Sequence, residues 1–228
     1  MQSLELFGIP LLYVLAVVAF LLPRIPVVGK FFNIINTLIH ELGHALMALL
    51  LGGEILQIQI FSDTSGVTVT KSKSKFKAFL VSLAGYTFAS AAAYLCFYLL
   101  SVGREEWIIL GTSAIFIIML IFWIRNRYGL IWVIIYTLLN AVLIFWVKNT
   151  TVTMVVAWFY SLMILLESVW SSLVLLWLSL KDGNHAGDAT NLKKFTHIPA
   201  FFWSLLFTAF AGYMSYLSLS VVGHWPFK

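Results

Sequence analysis

The sequence predicts an all-α polytopic membrane protein, with about seven transmembrane helices and a small β-hairpin after the second. Three observations carry that prediction. Of the 228 residues, 61% are hydrophobic and only 10% charged, whereas soluble domains carry about 25% charged residues. Uncharged runs recur that approach or exceed the roughly 20 residues needed to cross a bilayer. After the second run the apolar period changes from helical to alternating. One membrane domain over residues 1–228 suits the length, with no room for a large soluble domain.

The formal net charge of +5 concerns topology and anionic headgroups in so apolar a chain. The loops are short and lack aromatic–basic interleaving, so the expected partner is the lipid bilayer and not nucleic acid. The sole cysteine, Cys96, lies in an apolar run and cannot form an internal disulfide. It reads as a buried structural thiol. Glu5 and the lack of a basic leader make the first run a retained helix, not a cleaved signal peptide.

The first helix is expected from about Leu6 to Leu22, where Pro23 stops it. Arg24, Pro26 and Gly29 make the following link turn-compatible. The second helix runs from about Phe31 to Leu51 and ends at Gly52-Gly53. Asn33, Asn36, Thr37, His40 and His44 recur on it at three-and-four spacing and form one polar stripe. Such a stripe must face protein or a wet cavity. Asn33 and Asn36 read individually as packing hydrogen bonds.

Leu56, Ile58 and Ile60 then alternate with Gln57 and Gln59. Ser62 to Gly66 supplies a turn, and Val67 to Thr70 a returning strand, which gives a hairpin over about 54–70. Unpaired backbone cannot face hydrocarbon, so the hairpin belongs at the interface or against protein. It is either a plain surface hairpin or one whose Leu56–Ile60 edge takes an extended substrate by strand addition. Lys71, Lys73, Lys75 and Lys77 flank it.

The third helix spans about Phe76 to Leu100. Ala78, Ser82, Gly85, Ala89 and Ala93 put small residues along it for close approach to the second helix. The fourth, fifth, sixth and seventh helices run from about Trp107 to Ile124, Leu130 to Val147, Val152 to Leu180 and Ile198 to Val222. Asn140 in the fifth reads as structural glue. The tail holds Trp225, Pro226 and Lys228, as at an interface. Alternate counting gives one face nine cations (Lys71, Lys73, Lys75, Lys77, Arg125, Arg127, Lys181, Lys193, Lys194) and the other five (Arg24, Lys30, Arg104, Lys148, Lys228). The first face is therefore expected to be cytoplasmic, with the N-terminus on the same side.

Chemistry concentrates in His40-Glu41-Leu42-Gly43-His44. On a helix His40 and His44 share a face, and two imidazoles at that spacing can hold one zinc ion. Glu41 stands close enough to act on a zinc-bound water without ligating. Catalytic zinc takes three protein ligands. The candidates for the third are Asp188, His185, Asp182, His197, Glu167, Glu105 and Glu106. His44 lies about 11 Å from the cytoplasmic end of its helix at 1.5 Å per residue. That favours the segment Lys181 to His197, expected as a loop dipping toward the metal, and disfavours Glu105 and Glu106 on the far face. Glu167, buried at membrane depth, must be paired, protonated or ligating.

His40 to Leu46, the following Gly52-Gly53 and the strand pair together resemble the site-2 protease superfamily of intramembrane zinc metalloproteases. Within it, the chain is most similar to the compact bacterial peptidase M50B-like branch. Gly187-Asp188-Ala189-Thr190-Asn191-Leu192, followed by Thr196-His197-Ile198-Pro199, is similar to that branch's Asp-Ala motif. The resemblance, which covers about Asn33 to Pro199, implies Asp188 as third ligand, a Zn2+ cofactor and a bacterial cell membrane. It also implies a membrane-protein or peptide substrate, cleaved with Glu41 as general base. Leu83-Ala84-Gly85 falls where the superfamily has an Ala-Gly-Pro segment before a helical Asn. Tyr86 replaces the proline and Ala89 stands near the Asn position, so the usual substrate-side hydrogen-bonding group has no counterpart there. The alternatives are Glu167 as third ligand, with Asp188 a solvated loop acid, or a catalytically silent scaffold of the same fold. A transporter is disfavoured because no inverted repeat is visible.

Overall fold

The structure, a computed structural model, describes residues 5–6, 9–72 and 74–222. Lys73 and the tail residues Trp225, Pro226 and Lys228 lie outside the described residues. Two short paired strands, β1 (Glu5–Leu6) and β2 (Ile9–Pro10), precede α1 (Leu11–Leu21). A 3-10 turn (Leu22–Arg24) leads to α2 (Val28–Leu50), and the hairpin follows as β3 (Glu54–Ile60) and β4 (Gly66–Lys71). Then come α3 (Lys75–Ser101), α4 (Glu105–Phe122) and α5 (Arg127–Ala141), which continues into a π-helical turn (Val142–Val147). The chain ends in α6 (Thr150–Lys181), α7 (Gly187–Thr196) and α8 (Ala200–Val221).

Among the described residues, five helices are long and apolar enough to cross a membrane: α3, α4, α5 with its π turn, α6 and α8. The α1–α2 pair makes a sixth span if taken together, bent by 99°. The sequence suggested seven because its first two apolar runs were each counted as a crossing. The 11-residue α1 is about 16 Å long at 1.5 Å per residue, too short to cross alone. The bend is built locally. Pro23 starts the 3-10 turn, and Val27 sits at φ 69°, a costly conformation for a β-branched residue. Gly29 is seated so tightly that a Cβ there would lie 2.4 Å from the Pro23 carbonyl oxygen.

The bundle is centred on α2, α3 and α6, whose buried Ile34, Leu38, Ala93, Phe97, Met163 and Ile164 share one apolar core. The small residues of α3 face α2 as expected. Gly43 of α2 is so close to α3 that a Cβ would lie 2.8 Å from the Ala84 carbonyl oxygen. Outward-facing Leu138, Phe145 and Trp146 are exposed, as a lipid-facing surface requires. Asn140 is the glue anticipated: its amide donates to Ser113 Oγ (3.0 Å) and accepts from the Tyr160 hydroxyl (3.0 Å).

The hairpin pairs antiparallel, with Ile60 opposite Gly66 and Ile58 opposite Thr68. Its other contacts correct one expectation. The outer edge of β3 is already occupied. Ile58 N–H donates to the Trp123 carbonyl (2.7 Å), and Arg125 N–H donates to the Ile58 carbonyl (3.2 Å). Asn126 brackets Ile60, donating to its carbonyl (2.5 Å) and accepting from its N–H (3.2 Å). The Leu56–Ile60 edge is therefore closed to a substrate strand, because the link between α4 and α5 takes its hydrogen bonds.

Glu167 is also accounted for. Its carboxylate pairs with Arg24 in the turn before α2, and that guanidinium lies in the corner of the edge-on Phe20 and Trp170 rings, 4.4 and 4.8 Å from their centroids. The pair ties α6 to the α1–α2 bend. Glu167→Ala leaves Arg24 with an uncompensated charge, for which we expect a loss of about 3 kcal/mol. The test is a lowered thermal unfolding midpoint with an unchanged bound-metal stoichiometry.

Candidate metal centre

His40 and His44 project from the same face of α2. The backbone of α3 forms the wall they lean on. A Cβ at Gly85 would lie 2.5 Å from Nε2 of both rings, so only glycine leaves them this space. The His44 Nδ1–H donates to the Val81 carbonyl (2.7 Å). A carbonyl can only accept, so in the neutral ring Nδ1 keeps its proton and Nε2 offers its lone pair to a metal. The His40 ring meets Tyr86 edge-on, centroids 4.6 Å apart, and Tyr86 stacks on Phe207 of α8.

Asp188 comes from α7. The segment Lys181 to His197, expected as a loop, is mostly this helix. Thr190 caps it, its hydroxyl accepting from Ala186 N–H (2.8 Å), and Gly187 adopts φ 44° at its start. Asp188 lies in the first turn and Lys193 and Lys194 in the last, the polarity that favours a helix. Buried Ala189 and Leu192 seat α7 against Leu175 of α6 and Phe207 of α8. Asp188 Oδ2 thereby reaches 3.2 Å from Nε2 of both histidines.

The two Nε2 atoms are 3.0 Å apart. Donors about 2.0–2.1 Å from one tetrahedral zinc would stand roughly 3.3 Å from each other. Spacing, donor chemistry and the glycine wall all fit such an ion. With protons on both Nε2 atoms, the charge of His44 and the hydrogen bonds from the two imidazoles outweigh the burial that acts to raise the Asp188 carboxyl, and hold it well below the usual carboxylate range; a cation in place of those protons would favour the same ionised form. Asp188 thus offers an ionised oxygen.

Glu41, buried on the neighbouring face, does not join the three-residue group. The Thr68 hydroxyl of β4 donates to its Oε2 (2.6 Å). Gly66 lies against it, a Cβ there falling 2.6 Å from Oε1. All four groups line one cavity of about 770 Å3, bounded by β4, α2, α3 and α7. Thr68 escaped the sequence reading, because a threonine in an alternating strand carries no sign of what it bonds. Gly85 stood out as a small residue for helix contact and in the segment similar to the superfamily's Ala-Gly-Pro, but not as the wall of the histidine site.

The remaining candidates lie elsewhere. His185 pairs with Asp182 (2.6 Å) on the surface and does not orient Asp188. His197 ends α7 at φ 62° and is exposed. Glu105 and Glu106 begin α4 and line a separate cavity.

The Peptidase M50B-like family model matches residues 11–218. The chain belongs to the Peptidase M50B-like family. No curated protein and no solved structure matches it. Membership joins the apolar helices in identifying an integral membrane protein of a peptidase family. In this M50B-like chain the candidate centre lies inside the matched span, and α1 through most of α8 fall within it as well.

Gly85→Ala tests the wall directly. Alanine is the better helix former, so helical circular dichroism should be unchanged. The displaced rings should bind zinc at least tenfold more weakly, about 1.4 kcal/mol, measured by competition with a chelator.

Proposed function

We propose that the protein is an intramembrane zinc metallopeptidase that hydrolyses peptide bonds in or near the membrane. His40, His44 and Asp188 would hold the zinc, and Glu41 would be the general base. The observation that carries this reading is the meeting of three ligand-type atoms beside a non-ligating carboxylate in one cavity. Zinc, when bound, supplies Lewis acidity, lowering the pKa of a coordinated water and polarising the scissile carbonyl. Glu41 accepts a proton from the attacking water and returns one to the leaving amine. Thr68 holds one oxygen of that carboxylate, so the other is presented in a fixed direction. A silent scaffold has no use for an acid held in this way, which favours hydrolysis.

A membrane protein or peptide enters as an extended chain, because a helix hides the amide to be cut. Strand addition then uses β4. Ile58 and Ile60 spend their backbone groups away from β4, so their opposites Thr68 and Gly66 turn theirs toward the other edge. That edge borders the cavity. On charge, the end bearing Lys71, Arg125 and Lys193 is cytoplasmic, and by resemblance the membrane is bacterial. A cytoplasmic N-terminus would have the α1–α2 pair enter and leave on one side.

Three variants test the site. Glu41→Gln should abolish cleavage of a reconstituted transmembrane peptide and keep its zinc; retained turnover refutes the base. Asp188→Ala should lose zinc where Glu167→Ala does not, read by metal content after dialysis. Thr68→Val removes one hydrogen bond to a charged group, worth about 1.5–3 kcal/mol, so kcat should fall roughly ten- to a hundredfold with zinc content unchanged.

A further inference from the structure

Asn36 lies one turn before His40 on the same stripe of α2. Its neighbour Asn33 donates to the Pro23 carbonyl (3.0 Å); the Asn33 oxygen has no partner among the described residues, but Asn33 does not line the cavity. Asn36 differs. It is 92% buried, with 8% of its surface exposed, and its carboxamide oxygen has no partner among the described residues. It also lines the cavity that holds the candidate metal centre. A buried amide end without a partner is rare in folded proteins and calls for one.

The cavity supplies the geometry for a partner. β4 runs parallel to α2: Gly66 abuts Thr37 and Glu41, Thr68 bonds Glu41, and the Lys71 carbonyl meets Gly53 just past the end of α2. Thr37 and Glu41 form the α2 face toward β4. Asn36, His40 and His44, spaced four apart, form the adjoining face toward α3 and α7. A peptide paired with β4 along this cleft turns every second residue's N–H and C=O away from β4, toward that adjoining face. Those residues repeat about every 6.7 Å along a strand. One helical turn from His40 to Asn36 rises about 6 Å. A peptide residue level with His40 therefore puts the residue two along level with Asn36.

The Asn36 oxygen is closed to solvent as placed, so we propose that Asn36 clamps the backbone of an extended peptide substrate by turning its carboxamide into the cavity to take the N–H and C=O of one residue that faces away from β4. The inference rests on the peptidase reading above. The chain already contains the same device. Asn126 brackets the N–H and C=O of Ile60 on the outer edge of β3, and Asn36 would do for the substrate strand what Asn126 does for β3.

The test measures binding to the zinc-loaded full-length protein in detergent, without turnover. Two probes are used: acetohydroxamate, which has no peptide backbone, and a leucine-rich tripeptide hydroxamate. Asn36→Leu should weaken the tripeptide hydroxamate about tenfold, as expected for loss of backbone hydrogen bonds, and leave acetohydroxamate affinity and zinc content as in wild type. Equal affinities of variant and wild type for the tripeptide, or equal loss for both probes, would overturn the clamp while leaving the metal site standing. Failure of wild type to bind either hydroxamate would overturn the peptidase reading and the clamp with it. A second measurement needs no apolar variant. N-methylation of single amides in the tripeptide should weaken wild-type binding at one position, and Asn36→Ser should erase that position's effect. If every N-methylated peptide loses as much against Asn36→Ser as against wild type, Asn36 is not the partner.

Discussion

The contact between the backbone of α3 at Gly85 and the two imidazoles of α2 is the constraint on which the rest of the site depends. A side chain of any size at that position would push both rings off their common point. Gly43, half a helix face away, allows the approach from the other side by admitting the α3 backbone at Ala84. The same helix that forms the wall also orients the site, since the Val81 carbonyl fixes the His44 tautomer. α7 then has only to present one carboxylate to a point already defined by α2 and α3. It is seated there by Ala189 and Leu192.

Burial in a bilayer makes every unpartnered polar group expensive, and the chain meets that constraint pair by pair. Asn140 is divided between Ser113 and Tyr160, the Tyr136 hydroxyl meets Thr112, and Glu167 meets Arg24. The last pair gives a carboxylate that was a candidate ligand a different partner, apart from the group of His40, His44 and Asp188. The positive charge it needed came from a turn placed beside it only by the 99° bend. The partnerless atoms include Arg24 Nη2, Asn33 Oδ1, Asn36 Oδ1 and Thr137 Oγ1. Of these four residues, Asn36 alone lines the cavity of the metal centre.

What was legible in the sequence was what a helix enforces locally. The spacing of His40 and His44 requires a shared face whatever surrounds it, and the alternation from Leu56 to Ile60 requires a strand. The apolar runs announced the bundle for the same reason. Tertiary partners were not legible. The alternation at β3 could not say which edge would be free, because that depends on the backbone of Trp123 and Arg125 and the side chain of Asn126, more than 60 residues away. Nor could the acid-rich stretch from Asp182 to Asp188 say which acid would matter. Its helix was signalled by Asp188 at one end and Lys193 and Lys194 at the other, but Gly183, Gly187 and Pro199 made it read as loop. Asp188 was reached through family resemblance, not through spacing.

The two edges of the hairpin are treated differently, and the difference bears on function. An exposed strand edge invites pairing with any extended chain, and proteins normally block it. On β3 the block falls at Ile58 and Ile60, with backbone bonds at the first and a side-chain amide at the second. On β4 the Thr68 side chain is committed to Glu41 and Gly66 is pressed against Glu41 and Thr37, while the pairing pattern turns their backbone groups to the other edge, beside the cavity. A hairpin serving only as structure would gain from closing both edges by the same means. Closing one and directing the other along the row of Asn36, His40 and His44 confines pairing to chains that lie across Glu41. On the proposed peptidase reading such an edge would select an unwound segment, because helical stretches, whose backbone groups are already satisfied, have nothing to offer it.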